Sequence, residues 1–296
     1  MPRVTASLSF IEPQIPSSAD QPPDGRHWIH EVKHDGYRSL IVIDDGEVRV
    51  FTRNGHDWSD RYLGIVRAAA HLRCRSAIID GEAIIQDGNG ASDFEALSSA
   101  IQSRSNGIIL YAFDLLHLNG NDLRQQPLVQ RRAALQHLVG EDTDSRIQFS
   151  EAFGGECAAL FKACAELGLE GIVSKHAMAP YRSGRSKTWL KTKCFTESEF
   201  LVIGTDRDRK TGAVRALLAH PESEGLSYAG AAFIALGGDE RAQFLAEVER
   251  LTTSWAAFKS SRLIDVRWCH PKLTVEVKHL AGSKLLRHAT VRKITR

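Results

Sequence analysis

The sequence predicts an α+β protein of two domains, in which paired strands and helices are followed by a small β-barrel. The length of 296 residues allows two separate hydrophobic cores. Strand-like and helical segments alternate irregularly in the first part, which does not fit a regular βαβ array. Beyond a polar break near 194–200, short strand-like segments dominate and one helical segment interrupts them.

The first part of the chain contains strand-like runs at 28–33, 38–43, 47–52, 77–85 and 108–115. Helical spacing with boundary signals occurs at 90–102, 127–140 and 154–168. Ser92 or Asp93 is the expected N-terminal cap of the first of these helices. The third helix is expected to place Leu160, Cys164 and Leu167 on one apolar face.

A second domain is predicted at 196–296, after a first domain at 1–195. Its strand-like segments include "FLVIGTDRD", "GLSYAGAAFIAL" and "LTVEVKHL", and one long helix is expected from Asp239 to about Phe258. This pattern fits a five-stranded barrel such as an OB-fold, and other small barrels fit it nearly as well.

The composition is that of an ordinary globular protein, with 43% hydrophobic and 25% charged residues. No apolar run approaches about 18 residues, so no membrane span is expected. The N-terminal segment lacks the basic-then-apolar layout of a signal peptide. Five cysteines, none in a CxxC pair, argue against a disulfide framework or zinc knuckle and predict a reducing, intracellular compartment.

Basic residues are clustered along the chain, although the net charge is only +2. Residues 181–193 hold five Lys or Arg and no acid, and residues 259–296 hold ten Lys or Arg against two acids. Clustering of this kind favours a polyanionic partner over an evenly solvated surface.

A dense polar group interrupts two strand-like runs in "WIHEVKHDGYRSLIVI" at 28–43. Lys33 lies between Glu31 and Asp35, and Arg38 follows the bend expected at Gly36. A free lysine amine has a pKa near 10.4, so nucleophilic use requires burial, nearby cations or a metal to lower it. Taken alone, the segment fits a nucleophilic lysine or a salt-bridged hairpin lysine.

Five further polar elements follow in order, and each is weak by itself. They are "TRNG" at 52–55, "IIDGEAII" at 78–85, "YAFDLLHLNG" at 111–120, "LEGIVSK" at 169–175 and "TWLKTK" at 188–193. The second places two carboxylates two residues apart on a strand, and acids among apolar residues usually have a polar or metal partner.

Taken together, the six elements resemble the ordered signature of the covalent nucleotidyltransferase superfamily, specifically of ATP-dependent DNA ligases. That signature reads K-x-D-G-x-R, R-N-G, D-G-E, a Phe-containing strand, E-G-[IVL]-x-x-K and W-x-K-x-K. The segment 268–294 also resembles the end of short bacterial ligases and of the ligase module of bacterial end-joining proteins. The resemblance implies an adenylation domain at 1–195 followed by an OB-fold domain at 196–296.

The resemblance implies that Lys33 attacks the α-phosphate of ATP to form lysyl-AMP and release pyrophosphate. AMP would pass to the 5′-phosphate of a nick, and the 3′-hydroxyl would then close the phosphodiester. Electrostatic neutralisation dominates such chemistry.

The same resemblance implies roles for the residues around Lys33. Glu31 would accept a hydrogen bond from the amino group of adenine, and Phe113 would stack on the base. Further ATP or AMP contacts are implied for Arg38, Arg53, Glu82, Lys175, Arg185, Lys191 and Lys193, with Lys175 closest to the α-phosphate. Glu82 and Glu170 would help hold Mg²⁺ or Mn²⁺, and Asp35 would serve the joining steps.

Arg287, Arg292 and Lys293 resemble the last ligase motif, in which the OB domain closes over the nucleotide and orients pyrophosphate. The match is looser there, because the family's "RHPxFKGLR" is replaced by "RHATVRKITR". The basic residue that orients pyrophosphate is therefore left open.

The resemblance further implies nicked or broken duplex DNA as the partner and a cytoplasmic, nucleoid-associated and bacterial setting. A monomer is the default expectation. Nick repair, end joining and help from a Ku-like end-binding protein remain open alternatives. So do two other functions: an RNA ligase or other nucleotidyltransferase of the superfamily, and a catalytically dead nucleic-acid-binding OB protein.

Because affinity for a nick would depend on the two basic clusters, we expect binding to weaken steeply as salt rises. Titration of the chain with a fluorescent nicked duplex over a series of salt concentrations measures this slope. A dissociation constant that hardly changes between low and moderate salt would contradict the prediction.

Overall fold

The computed structural model of the protein describes residues 7–88, 90–105, 107–142, 144–154, 157–223, 225–258, 263, 265–282 and 285–295. Four basic residues of the second cluster, Lys259, Arg262, Lys284 and Arg296, lie outside this part. The chain forms two compact units, Met1–Lys193 and Cys194–Arg296. Among the helices of the described residues, none is both long enough and apolar enough to cross a membrane.

A six-stranded sheet forms the centre of the first unit, in the order β4-β3-β5-β6-β7, with β8 paired to β6. Its strands are β3 (Tyr37–Asp44), β4 (Glu47–Thr52), β5 (Ser76–Ile84), β6 (Ile109–Leu118), β7 (Asn121–Asp122) and β8 (Ile147–Phe149). All pairs are antiparallel except β6–β8. Asp45 and Gly46 both have positive φ, which suits the tight turn between β3 and β4.

A second, four-stranded sheet has the order β1-β10-β9-β2. Its strands are β1 (Gln14–Ser18), β2 (Trp28–Val32), β9 (Gly171–His176) and β10 (Gly184–Lys193). The pairing of β1 with β10 is parallel and the other two pairings are antiparallel. The N-terminal segment, expected to be extended chain, thus contributes an edge strand to this sheet.

The central sheet is buried on both faces, which explains the uninterrupted apolar run in β3. Leu40 and Val42 belong to a cluster that includes Trp189 of β10, whereas Ile41 and Ile43 belong to a cluster that includes residues of the helices. Side chains alternate along a strand, so consecutive apolar residues cover both faces.

The helices of the first unit are α1 (Leu63–Ala70), α2 (Phe94–Ser103), α3 (Leu128–Val139) and α4 (Cys157–Glu166). Asp93 caps α2 as expected, since its Oδ1 accepts from the Ala96 N–H at 2.9 Å. The predicted apolar face of α4 is wrong at Leu167, which is 71% exposed. Gly168 has a φ of 68° there, and the Leu169 N–H donates to the Cys164 carbonyl, so the helix has already ended.

The second unit contains a closed five-stranded barrel, ordered β11-β12-β13-β15-β14. Its elements are β11 (Phe195–Arg207), β12 (Val214–Glu222), β13 (Gly225–Ile234), α5 (Gly238–Arg250), β14 (Arg267–Leu280) and β15 (Thr290–Ile294). The helix expected to reach about Phe258 ends at Arg250. Thr252 forms a bridge with Cys269, and the Thr253 N–H donates to the Trp268 carbonyl, so backbone pairing with β14 replaces further helix.

Phe244 of α5 is fully buried in the barrel core, whereas Phe233 of β13 is 41% exposed. We expect Phe244→Ala to lower the local unfolding free energy by about 3–5 kcal/mol, because it removes buried surface and leaves a cavity. Phe233→Ala should cost less than about 1 kcal/mol. Hydrogen exchange of barrel peptides in the whole chain measures both, and equal losses of protection would contradict the assignment of the core.

Candidate active site

Lys33 follows the end of β2, and its position is set by the backbone on either side. Its N–H donates to the Gly171 carbonyl at 2.8 Å, which ties it to the start of β9. A Cβ on Gly36 would lie 2.1 Å from the Ala83 carbonyl oxygen, so only glycine permits this approach to β5. The Lys33 side chain is only 20% exposed, and its Nζ forms an ion pair with Glu170.

Glu170 accepts from two lysines, since Lys193 Nζ lies 2.8 Å from its other oxygen. Burial would raise the pKa of Glu170, but the two ammonium groups outweigh this and hold it below its ordinary value. The arrangement depends on Gly171, whose φ is 143° and where a Cβ would lie 2.1 Å from the Thr192 carbonyl oxygen. Close approach of β9 to β10 therefore brings Glu170, Lys33 and Lys193 together.

A second buried ion cluster surrounds Glu31 on β2. Lys175 Nζ and Arg132 Nη1 each lie 2.8 Å from Glu31 Oε1, and Ser150 Oγ donates to Oε2 at 3.1 Å. Burial, together with the nearby Arg132 cation, lowers the pKa of Lys175 to about 8, although Glu31 opposes the shift. Lys175 Nζ also lies 4.0 Å from the centroid of the Phe113 ring.

Arg38 is held by a third carboxylate, Asp80 of β5. Its Nε and Nη2 donate to the two oxygens of Asp80 at 2.5 and 2.6 Å, a bidentate pair. Tyr181 also donates to Asp80 at 2.7 Å. The Arg38 guanidinium lies 4.6 Å from the Phe113 ring centroid, and Trp189 meets the same ring edge-on.

Glu82 is close to the charged groups at Lys33, but none of the hydrogen bonds or ion pairs found among the described residues engages its side chain. Burial raises its pKa to about 7, with Glu170 and Asp80 adding to the effect and Lys33 and Arg38 opposing it. A carboxylate with a raised pKa inside a cleft is a common feature of functional sites.

A small cavity lies among these groups, and its walls include Glu31, Lys33, Glu82, Phe113 and Lys175. A wider cleft adjoins it, and Lys33, Arg38 and Glu82 line both spaces. Carboxylates, cations and an aromatic ring lie on the walls of the cavity, a lining that suits a ligand with both an aromatic and an anionic part.

The structure brings together most of the residues singled out from the sequence. Arg53 and Lys191 line the wider cleft, and Arg53 is exposed. Arg185 is exposed on β10 and is close enough to Lys191 to help lower its pKa, although burial, Lys193 and Lys33 act more strongly. The Asp35 N–H donates to Ser92 Oγ at 3.3 Å.

The C-terminal candidates lie in the second unit. Arg292 and Lys293 are exposed on β15, and Lys293 is in register with Glu276 of β14. Burial lowers the pKa of Arg287.

Several residues of the site were not singled out from the sequence. Arg132 lies on α3, where nothing in the local pattern distinguishes it from a surface arginine. Tyr181 is separated from Asp80 by about a hundred residues. His34 stacks on Tyr111 with ring centroids 4.3 Å apart, and burial lowers its pKa to about 4. Of these three residues, only His34 had a signal in the sequence, because its aromatic ring directly follows the lysine of the K-x-D-G motif.

The family model described as the ATP-dependent DNA ligase domain matches residues 16–193. The chain is 36% identical to the multifunctional non-homologous end joining protein LigD of Pseudomonas aeruginosa, over 93% of this chain and 34% of that protein. It is 32% identical to a probable DNA ligase of Streptomyces avermitilis, over 87% of this chain and 52% of the other. The chain belongs to the ATP-dependent DNA ligase domain family.

Solved structures agree with this assignment. The ligase domain of Mycobacterium tuberculosis LigD aligns with a TM-score of 0.56 and 27% identity, covering 95% of this chain and 94% of that one. A mycobacterial DNA ligase D complexed with ATP and MES aligns with a TM-score of 0.57 and 26% identity, over the same shares. The chain spans about a third of the length of the LigD proteins that it matches.

Because Glu82 has a pKa near 7 when folded and near 4.5 when unfolded, the folded state binds more protons between these values. The unfolding free energy therefore falls as pH rises through this window. We expect Glu82→Gln to stabilise the protein by roughly 1–3 kcal/mol at pH 8.5 and to have little effect at pH 4.5.

Urea denaturation of the whole chain at both pH values, followed by tryptophan fluorescence, tests this. Glu151→Gln, at an exposed position outside the cavity, serves as the control and should show the same effect at both pH values. An equally pH-independent effect of Glu82→Gln would contradict the raised pKa.

Proposed function

We propose that this chain is the catalytic core of an ATP-dependent DNA ligase that seals 3′-hydroxyl to 5′-phosphate breaks through lysyl-AMP and DNA-adenylate intermediates. The observation that carries the proposal is Lys33 on the wall of a cavity that Glu31 and Phe113 also line, with its ammonium group paired with Glu170. Membership of the ligase domain family supports it.

Lys33 is proposed as the nucleophile toward the α-phosphate of ATP. The amine would form a bond to phosphorus as the bond to pyrophosphate breaks, and the AMP would then pass to a DNA 5′-phosphate. Attack by the 3′-hydroxyl would form the phosphodiester and release AMP. Arg38, Arg53, Arg185, Lys191 and Lys193 would neutralise phosphate charge during these steps, and Asp35 would serve the joining steps.

Glu170 and Glu82 are proposed as the residues that hold Mg²⁺ or Mn²⁺. Carboxylate oxygens suit such hard cations, and Glu82 lies on the wall of the cavity with its side chain outside the hydrogen bonds and ion pairs found among the described residues. The metal would supply additional charge neutralisation at the triphosphate.

Lys175 is proposed to act at the base rather than beside the α-phosphate, where the family resemblance had suggested it. Its ammonium group is paired with Glu31 and lies against Phe113, so all three proposed base contacts are neighbours. An acceptor at Glu31 and a donor at Lys175 would match the 6-amino group and N1 of adenine. Phe113 would stack on the base.

The domain assignment is proposed as an adenylation domain at 1–195 and an OB-fold at 196–296. A closed five-stranded barrel with α5 between its third and fourth strands in the chain supports the second part. Arg287, Arg292 and Lys293 of this domain are proposed to orient pyrophosphate or contact DNA.

The setting is proposed from the relatives, several of which are named as non-homologous end joining proteins. Broken or nicked duplex DNA would be the substrate, with a Ku-like end-binding protein as a partner in end joining. We propose a monomer associated with the nucleoid of a bacterial cytoplasm.

We expect Lys33→Ala to abolish covalent labelling by ATP carrying ³²P at the α-phosphate, because no other group would then form the phosphoramide. Lys187→Ala serves as the control, since Lys187 is exposed on the same strand as Lys191 and should leave labelling unchanged. Gel electrophoresis measures the labelled protein. Parallel reactions with nicked duplex DNA or nicked RNA measure the sealing of the nick. Persistent labelling of Lys33→Ala would overturn the mechanism, and sealing of RNA alone would indicate an RNA ligase.

A further inference from the structure

Arg132 connects the residues proposed to recognise the base, although it lies on α3, outside every ligase motif noted in the sequence. Its Nη1 donates to Glu31 Oε1 at 2.8 Å and to the Phe113 carbonyl at 3.2 Å. Its Nη2 donates to the Ser150 carbonyl at 2.6 Å. A single guanidinium group thus contacts the base-facing carboxylate and the backbone of the stacking residue.

The orientation of this guanidinium group is itself fixed. Arg132 is only 6% exposed, and its Cζ lies 4.6 Å from the ring centroid of Phe149. Ser150, which follows Phe149, accepts from Arg132 through its carbonyl and donates to Glu31 Oε2 through its hydroxyl. The Ser150 N–H donates to the Ala112 carbonyl at 2.8 Å, which attaches this segment to β6.

The order of donor and acceptor at the base depends on this arrangement. Adenine presents a donor at its 6-amino group and an acceptor at N1, whereas a 6-oxo purine presents the reverse. Glu31 can only accept when ionised and Lys175 can only donate when protonated, so their order distinguishes the two kinds of base. Arg132 and Ser150 hold the Glu31 carboxylate from the protein side, which leaves Lys175 as its partner facing the cavity.

We propose that Arg132 is a positioning residue for nucleobase selection, which fixes Glu31 so that the site accepts a 6-aminopurine and rejects a 6-oxopurine. The proposal rests on the proposed function of this site as an ATP-dependent nucleotidyltransferase. A lysine at position 132 could supply the positive charge. It could not replace the planar guanidinium group, which donates to Glu31 and to the carbonyls of Phe113 and Ser150.

The test compares single-turnover formation of enzyme-AMP from ATP with formation of enzyme-IMP from ITP, which differs only at the 6-position and N1. We expect the ATP-to-ITP ratio of kcat/KM to fall at least tenfold in Arg132→Met and in Arg132→Lys. The rate at saturating ATP should fall much less, because the base is remote from the reacting phosphorus.

Arg131→Met provides a matched control on the same helix. Arg131 is also buried and forms a bidentate pair, with Nε and Nη2 at 2.7 and 2.8 Å from the Asp114 oxygens, but it makes no hydrogen bond or ion pair to Glu31. Arg131→Met and Arg132→Met each remove a buried cation, so each should lower the melting temperature. Only the Arg132 variants should lose base discrimination.

Ser150→Ala keeps the test decisive if Arg132→Met does not fold. It removes the other hydrogen bond to Glu31 with little change in volume, and we expect a smaller loss of the ATP-to-ITP ratio, about threefold. An unchanged ratio in Arg132→Lys and Ser150→Ala would overturn the positioning role. Failure of the unmodified chain to label with ATP would instead overturn the proposed function.

Discussion

The pairing of one buried carboxylate with two lysines is the interaction on which the site depends. Glu170 can meet both Lys33 and Lys193 only because Gly171 lets β9 approach β10 more closely than any side chain would allow. The same glycine carbonyl accepts from the Lys33 N–H, so the candidate nucleophile is held through its backbone and its side chain together. An unpaired charge at this depth would be costly, and pairing offsets much of that cost.

The charged groups of the site form two clusters. In one, Glu31 is shared by Lys175 and Arg132, next to the ring of Phe113. In the other, Glu170 is shared by Lys33 and Lys193. Glu82 is close to the second cluster and keeps part of its desolvation cost, because burial raises its pKa. The aromatic ring therefore lies at the first cluster, and the candidate nucleophile belongs to the second.

The sequence predicted strands β2 to β6 of the first unit well, because their apolar runs and turn residues are local signals, but it did not predict β1, β7 or β8 as strands. It also predicted the residues around Lys33, since a strand places alternate residues on one side and the motifs occur in order. It was wrong where tertiary contacts override local pattern. Helix α5 ends early because backbone groups after Arg250 pair with β14, and Leu167 is exposed because the chain reverses at Gly168.

By itself the sequence determined the family and the α+β class, because these depend on short motifs and local periodicity, and it singled out Lys33 as the candidate nucleophile. Only the tertiary structure decided which charges meet. Lys175 pairs with Glu31, and Arg132 reaches Glu31 from about a hundred residues away. A buried ionic group requires a partner, and the packing of the sheets and helices decides which residue that partner is. The spacing of the residues along the chain therefore does not predict the pairs.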